Sequence, residues 1–355
     1  MVPDTVNEAS RGRCTVPWRN LFGILVVALI AAGCGGPYAQ SAMQPASEIA
    51  QRLQDLFETI FWWAVAVFVI IQGALVVTVL KFRAGRRQDA VHSPKHVHGN
   101  TLVELAWTLA PAVVLVIIAV PTISTIWEVD LPTTDPDALV IEVVGHQWWW
   151  EFRYPELDIV TANEFHIPQG RMIDLRLTSA DVIHSFWIPR LAGKRDVVPG
   201  RENILWFAAD SVGIFIGQCA EFCGLSHALM KLEVVVDAPA EFASWARRQG
   251  RPAESLDEGD PLAALAAEGK DVVMRAGCIA CHRIDGTQAQ GVLGPDLSHV
   301  GSRRTIAAGI LENTPENVER WLRNPGAVKP GALMPDLQLT EEDVRSLTAY
   351  LSSLK

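Results

Sequence analysis

The chain has 355 residues, enough for two or three domains. Hydrophobic residues make up 49% and tryptophans number 12, a composition that leans towards a membrane-associated protein. The formal net charge of −10 argues against a nucleic-acid partner.

Residues 1–33 read as a signal peptide. Arg11, Arg13 and Arg19 precede a short apolar core, Leu21 to Ala32, which falls below the length of a membrane span. The segment Ala31-Ala32-Gly33-Cys34 resembles a bacterial lipoprotein cleavage box, which makes Cys34 a lipidated first residue. Ordinary cleavage near Ala42 is the alternative, and both stay open. Cys14 is removed either way. Residues 50–130 read as a transmembrane hairpin with spans at about 59–80 and 105–126, each near the ~20 residues that cross a bilayer. Pro111 and Pro121 are tolerated in such a helix. The intervening loop carries Lys81, Arg83, Arg86, Arg87 and Lys95, which places it in the cytoplasm and both ends of the hairpin outside. His92, His96 and His98 share that loop and read as solvated. Glu104, an acid at the mouth of the second span, is a functional candidate by position, with a solvated helix-cap acid as the alternative.

Residues 138–237 alternate in short runs, among them Leu139–Val144, Met172–Leu177, Asn203–Phe207 and Lys231–Val236. Turn signals at Pro168-Gln169-Gly170 and Pro199-Gly200 separate them. This spacing predicts an antiparallel sandwich or barrel. Gly145-His146-Gln147-Trp148-Trp149-Trp150-Glu151 reads by composition as a buried strand with aromatic anchors. Near the end of the region, Cys219-Ala220-Glu221-Phe222-Cys223 runs on to His227 and Met230, and His184 lies upstream. A structural zinc site takes four Cys or His ligands and no methionine. Two thiols, two imidazoles and a thioether suit copper electron transfer. A surface disulfide between Cys219 and Cys223 is the alternative.

Residues 238–262 read as a linker, acidic and turn-rich from Gly250 to Pro261. Residues 263–355 return to helical spacing, with helices over Leu262–Ala276, Pro315–Asn324 and Thr340–Leu354; Thr340 is the cap of the last. Cys278-Ile279-Ala280-Cys281-His282 is C-x-x-C-H, the attachment signature of c-type haem. Met334, Met274 and His299 are the candidates for a second iron ligand. Met274 reads as core, and His299 as a solvent-facing loop residue. The six cysteines then divide into a copper pair, a haem pair and two near the N-terminus.

The copper loop resembles the binuclear copper A centre of cytochrome c oxidase subunit II. That resemblance implies bridging thiolates at Cys219 and Cys223, imidazoles at His184 and His227, a thioether at Met230 and the backbone carbonyl of Glu221. It implies a cupredoxin-like β-sandwich and makes Trp148 the residue where electrons enter. It places Glu104 at the cytoplasmic mouth of a proton pathway. It also gives the Glu221 side chain a share in a magnesium or manganese site at the interface with subunit I. Lys194 to Arg201 matches a family segment too, its charges serving a neighbouring subunit or the local turn.

Residues 269–355 resemble a class I cytochrome c through Cys278, Cys281, His282, Gly294-Pro295-Asp296-Leu297 and Met334. Together these imply a multidomain chain: a two-helix transmembrane hairpin, a cupredoxin-like β-sandwich and a small all-α cytochrome c domain. The expected function is subunit II of a proton-pumping haem–copper cytochrome c oxidase with covalent haem c. Its partners are subunit I, subunit III, and an external donor such as a cytochrome c or a bc1-type complex. It is expected in the bacterial inner membrane, with copper and haem on the periplasmic side. A copper A-containing nitric oxide reductase and a free-standing membrane-bound electron carrier are the alternatives. A quinol oxidase subunit is disfavoured because that class lacks the copper ligands.

Overall fold

The computed structural model describes residues 38–82, 98–253 and 259–355, together with 23, 25, 26 and 256. Cys14, Cys34, most of the signal segment and the loop residues Arg83, Arg86, Arg87, His92, Lys95 and His96 lie outside the described residues.

Two long helices come first, α1 (Glu48–Phe82) and α2 (Thr101–Asp130). Their apolar stretches reach mean hydropathies of 2.5 and 2.4, and none of those windows is buried against protein. Such faces need lipid or a partner. At about 1.5 Å per residue the helices run ~52 and ~45 Å, longer than the ~30 Å hydrocarbon layer. The outer turns therefore stand clear of it. Asn100 caps α2, its side-chain oxygen accepting the Leu102 and Val103 N–H groups at 3.0 and 3.3 Å. The outer ends are tied to each other and to the next domain. Arg52 bridges Glu48 and Glu128, Arg195 reaches Asp130 at 2.7 Å, and the Trp206 indole donates to the Leu131 carbonyl at 2.7 Å. The charges of the Lys194–Arg201 segment thus include one that serves the chain's own hairpin.

The next region is a two-layer sandwich. In chain order its strands are β1 (Leu139–His146), β2 (Trp149–Tyr154), β3 (Ile159–Ala162), β4 (Glu164–Pro168), β5 (Met172–Ser179), β6 (His184–Trp187), β7 (Arg195–Val197), β8 (Asn203–Ala208), β9 (Gly213–Cys219) and β10 (Lys231–Asp237). Among the described residues they form two five-stranded sheets, ordered β3-β2-β1-β5-β8 and β4-β10-β9-β6-β7. β1 and β10 alternate strictly between buried and half-buried positions, the mark of one face turned to a core. Trp150, Phe152, Phe165 and Phe186 fill that core from both sheets, with Trp150 and Phe186 edge-on at 5.2 Å. The arrangement is not purely antiparallel as the turn spacing predicted. β1 pairs with β5 in parallel, and so does β4 with β10. Each parallel pair joins strands that are not consecutive, so no tight turn signals it in the sequence.

The stretch read as a linker opens with a helix, α3 (Pro239–Gln249), with Pro239 in its first turn. Phe242 and Trp245 are buried in the sandwich core, and Trp245 stacks on His166 at 4.5 Å.

The last region holds α4 (Ala263–Arg275), a two-residue ribbon β11 (Thr305–Ile306) and β12 (Leu311–Glu312), then α5 (Pro315–Arg323), α6 (Pro325–Val328) and α7 (Glu341–Ser353). α4 crosses α7 at Gly269, where a Cβ would collide with the Ser346 carbonyl. Thr340 caps α7 through a reciprocal box with Asp343, as the sequence indicates. This region docks on the sandwich: the Arg304 N–H donates to Glu164 at 2.8 Å and its guanidinium to Glu233 at 3.1 Å.

Candidate metal and haem centres

Cys219 closes β9, and the loop that follows returns to β10 at Lys231. The loop is pinned at both ends: the Cys219 N–H donates to the Met230 carbonyl and the Ala220 N–H to Ser185, each at 2.9 Å. β6 lies beside β9 with Phe186 opposite Cys219, which brings His184 to the same end of the sheet. Five side chains converge there. The two sulfurs are 3.8 Å apart, His184 Nδ1 is 3.9 Å from Cys219, and His227 Nδ1 is 3.6 Å from Cys223. The Met230 sulfur lies 3.9 Å from Cys223, and the Glu221 carbonyl 3.3 Å from Cys219. A disulfide needs an S–S distance of about 2.05 Å. These thiols are free and spaced to share ions.

The electrostatics suit cations. The S–H of Cys223 holds the Cys219 thiol pKa well below the usual thiol range, with burial opposing and His184 adding to the effect. That same neighbour and burial push the Cys223 thiol up. Two adjacent thiolates would repel each other, and a cation bound between them would offset that repulsion. His184 presents Nδ1 to the sulfurs because its Nε2 is held by Asp181 Oδ1 at 2.8 Å. Asp181 is itself anchored by the N–H groups of Gln147 and Val182, each at 2.6 Å. A Cβ on Gly145 would sit 2.9 Å from the His184 ring, so only glycine allows this approach. The Glu221 side chain is exposed, away from the cluster its carbonyl joins.

The second centre is a cavity of about 430 Å³ in the helical region. Cys278, Cys281, His282 and Met334 all line it. His282 Nδ1 faces the Pro295 carbonyl at 2.8 Å, which leaves Nε2 as the open nitrogen. Burial lowers the His282 pKa, with Arg303 adding to the effect, which favours the neutral ring that a metal ligand requires. A Cβ on Gly294 would come within 2.7 Å of that ring. Arg303 lies in the cavity wall with Nη2 on the Asp296 carbonyl at 2.5 Å and, among the described residues, no partner for its Nε. A buried cation with an open donor suits the acid group of a ligand. These residues fit a covalent haem. Met274 is half-buried and outside the lining. His299 corrects the expectation of a solvent-facing residue: it is 5% exposed and its Nε2 meets the Arg251 carbonyl at 2.8 Å. The short turn that carries it folds under the linker, which a loop-like sequence does not reveal.

Trp148 stands between the two centres. It lines the cavity, and its indole N–H donates to the Cys223 carbonyl at 3.0 Å; the Gln147 side chain donates to the same oxygen at 2.7 Å. Gly224 of the copper loop and Gly331 of the 329–331 turn pack on its ring. A Cβ on either would come within 3.0–3.1 Å, and both have positive φ, 114° and 80°. Glu104 lies far along the chain in the first turn of α2, exposed, with its carbonyl accepting the Thr108 hydroxyl at 2.9 Å.

Residues 36–125 match the transmembrane domain of cytochrome c oxidase subunit II, 157–238 its periplasmic domain, and 266–355 cytochrome c. The chain is 37% identical over 332 residues to a cytochrome c oxidase subunit 2 of Alkalihalophilus pseudofirmus, covering 92% of this chain and 94% of that one. The chain belongs to the cytochrome c oxidase subunit II family. A subunit 2 from Bacillus sp. strain PS3 is also 37% identical, over 98% of this chain and 99% of its own length. Thus the cytochrome extension is shared with full-length relatives of the family. Among solved structures, the periplasmic domain of subunit II from Bradyrhizobium japonicum is 34% identical, covering 33% of this chain and 96% of that one, with a TM-score of 0.32.

Several residues of this subunit II site escape the sequence pattern. Asp181 stands three positions before His184, a spacing that could have flagged it as an orienting acid. Arg303 and Lys329 carry no such signal, because each joins its centre through tertiary contact.

Proposed function

We propose that this chain is the electron-input subunit of a proton-pumping haem–copper cytochrome c oxidase. Cys278 and Cys281 would attach haem c, with His282 and Met334 as its iron ligands and Arg303 facing its acid groups. His184, Cys219, Cys223, His227, Met230 and the Glu221 carbonyl would hold two copper ions. Bound there, the two groups supply reversible one-electron chemistry, Met/His ligation favouring a raised haem potential. The observation that carries the reading is Trp148, which walls the haem cavity and donates to Cys223 of the copper loop. The chain's own residues hold the two centres on either side of one indole, exclude water from the thiols and orient His184 through Asp181.

The subunit would accept electrons on the periplasmic side of the bacterial inner membrane, from a cytochrome c or a bc1-type complex. It would deliver them to subunit I, where oxygen is reduced. α1 and α2 supply the apolar faces for that partner, and subunit III completes the assembly. Glu104 would stand at the cytoplasmic mouth of a proton pathway, and the Glu221 side chain would join a magnesium or manganese site at the subunit I interface. Metal and haem analysis of the purified complex, with its oxygen uptake, tests the reading. Two coppers and one haem c per chain with oxygen consumption are expected. A complex without copper, or one that consumes nitric oxide and not oxygen, would sink it.

A further inference from the structure

Lys329 is 4% exposed, an unusual place for an ammonium group. It lines the haem cavity, and its Nζ donates to the Trp148 carbonyl and, at 3.4 Å, to the Ala307 carbonyl. Among the described residues no carboxylate forms an ion pair with it. Burial lowers its pKa to about 7. Burying an ammonium group without an ion-pair partner costs stability, which its two hydrogen bonds to carbonyls offset only in part. The contacts around it single out one neighbour. Pro330 accepts a hydrogen bond from Ser226 of the copper loop, and a Cβ on Gly331 would press on both the Trp148 ring and Leu225 of that loop. Three successive residues of the cytochrome region therefore grip Trp148 or the loop beneath it.

We propose that Lys329 is a positioning residue: it seats the haem domain on Trp148, and the 329–331 turn is where electrons leave the cytochrome region for the copper loop. The inference rests on the functional reading above. The seat covers Trp148, 9% exposed, with the chain's own cytochrome region. Rigid seating matters because electron transfer slows with every ångström added between the two centres.

The test uses the assembled, purified oxidase. Copper content, near-infrared absorption, haem c spectrum and haem c potential are measured first. Absence of copper or haem c from the native complex sinks the functional reading and this inference with it. With both present, haem c is reduced by a light flash and the copper band is followed. Lys329→Met should slow haem-to-copper transfer several-fold while both spectra and potentials hold. Lys329→Gln, which keeps an N–H donor for the Trp148 carbonyl, should recover part of the rate. Arg304→Ala, which cuts a docking contact elsewhere, should transfer near the native rate. A native rate in Lys329→Met overturns the inference alone. So does equal slowing in the Gln and Met variants, which would mean that charge acts and not seating. Equal slowing in Arg304→Ala would mean that any loosening suffices, and overturns it too. Where Lys329→Met does not load haem c, Gly331→Ala reads the same seat by pressing a Cβ on the indole; transfer at native speed there overturns the inference.

Discussion

Asp181 shows how a candidate copper ligand, His184, depends on a neighbour for its orientation. It holds His184 Nε2, so the other ring nitrogen faces the sulfurs. Removal of such an orienting partner typically costs about 10–100-fold in metal affinity. Asp181→Asn should therefore weaken copper retention by that order in a chelator titration, with the haem c spectrum unchanged. Cys219→Ser or Cys223→Ser should abolish copper and its near-infrared absorption while leaving haem c in place. Survival of both signals would refute the assignment. Met334→Ala should alter the haem c spectrum and potential, since it is the methionine that lines the cavity. The C-x-x-C-H and the Cys219–Met230 loop were legible as motifs because their ligands are local. His184 was harder, 35 residues upstream of Cys219, and came into reach because β6 and β9 are hydrogen-bonded neighbours.

α3 and β4 meet in a small ionic cluster. His166 lies between Asp237 at 2.7 Å and Glu164 at 3.5 Å, with Trp245 stacked on its ring. Burial alone would lower the His166 pKa, but the hydrogen bonds to Asp237 and Glu164 outweigh it and raise it above 6.5. A group whose folded pKa is raised contributes stability that is complete below its unfolded value and is lost as pH rises through the folded one. Thermal unfolding of the intact subunit should therefore show stability falling as pH rises above about 6.5. His166→Asn should flatten that slope; an unchanged slope would show that the cluster is not its source. Trp245→Ala should cost about 3–5 kcal/mol, the usual range for a buried aromatic truncation, read as a lowered denaturation midpoint. The composition of 238–262 gave little warning of this helix. Its two anchors, Phe242 and Trp245, are apolar positions in an otherwise polar segment, and their burial depends on the sandwich face beneath them.

At the scale of the molecule, the hairpin meets the sandwich through Arg195 and Trp206, and the cytochrome region meets the sandwich through polar contacts at Trp148, Glu164 and Arg304. Trp148→Ala in the assembled complex should leave reduction of haem c by an external donor unchanged while oxygen uptake falls. Parallel loss of both would place Trp148 upstream of the haem instead. That outcome is decided by docking, which composition does not express.

The membrane hairpin, the Cys219–Met230 loop, the C-x-x-C-H motif and the capping of α7 were legible in the chain alone, because each is set by neighbours within a few turns of chain or by composition. Tertiary structure alone decided the parallel pairings β1–β5 and β4–β10, the burial of His299 and of α3, and the seat of Lys329 on Trp148. Those contacts join residues distant in the chain, and their free energy comes from burial and hydrogen bonds that exist only after the sheets and helices have packed.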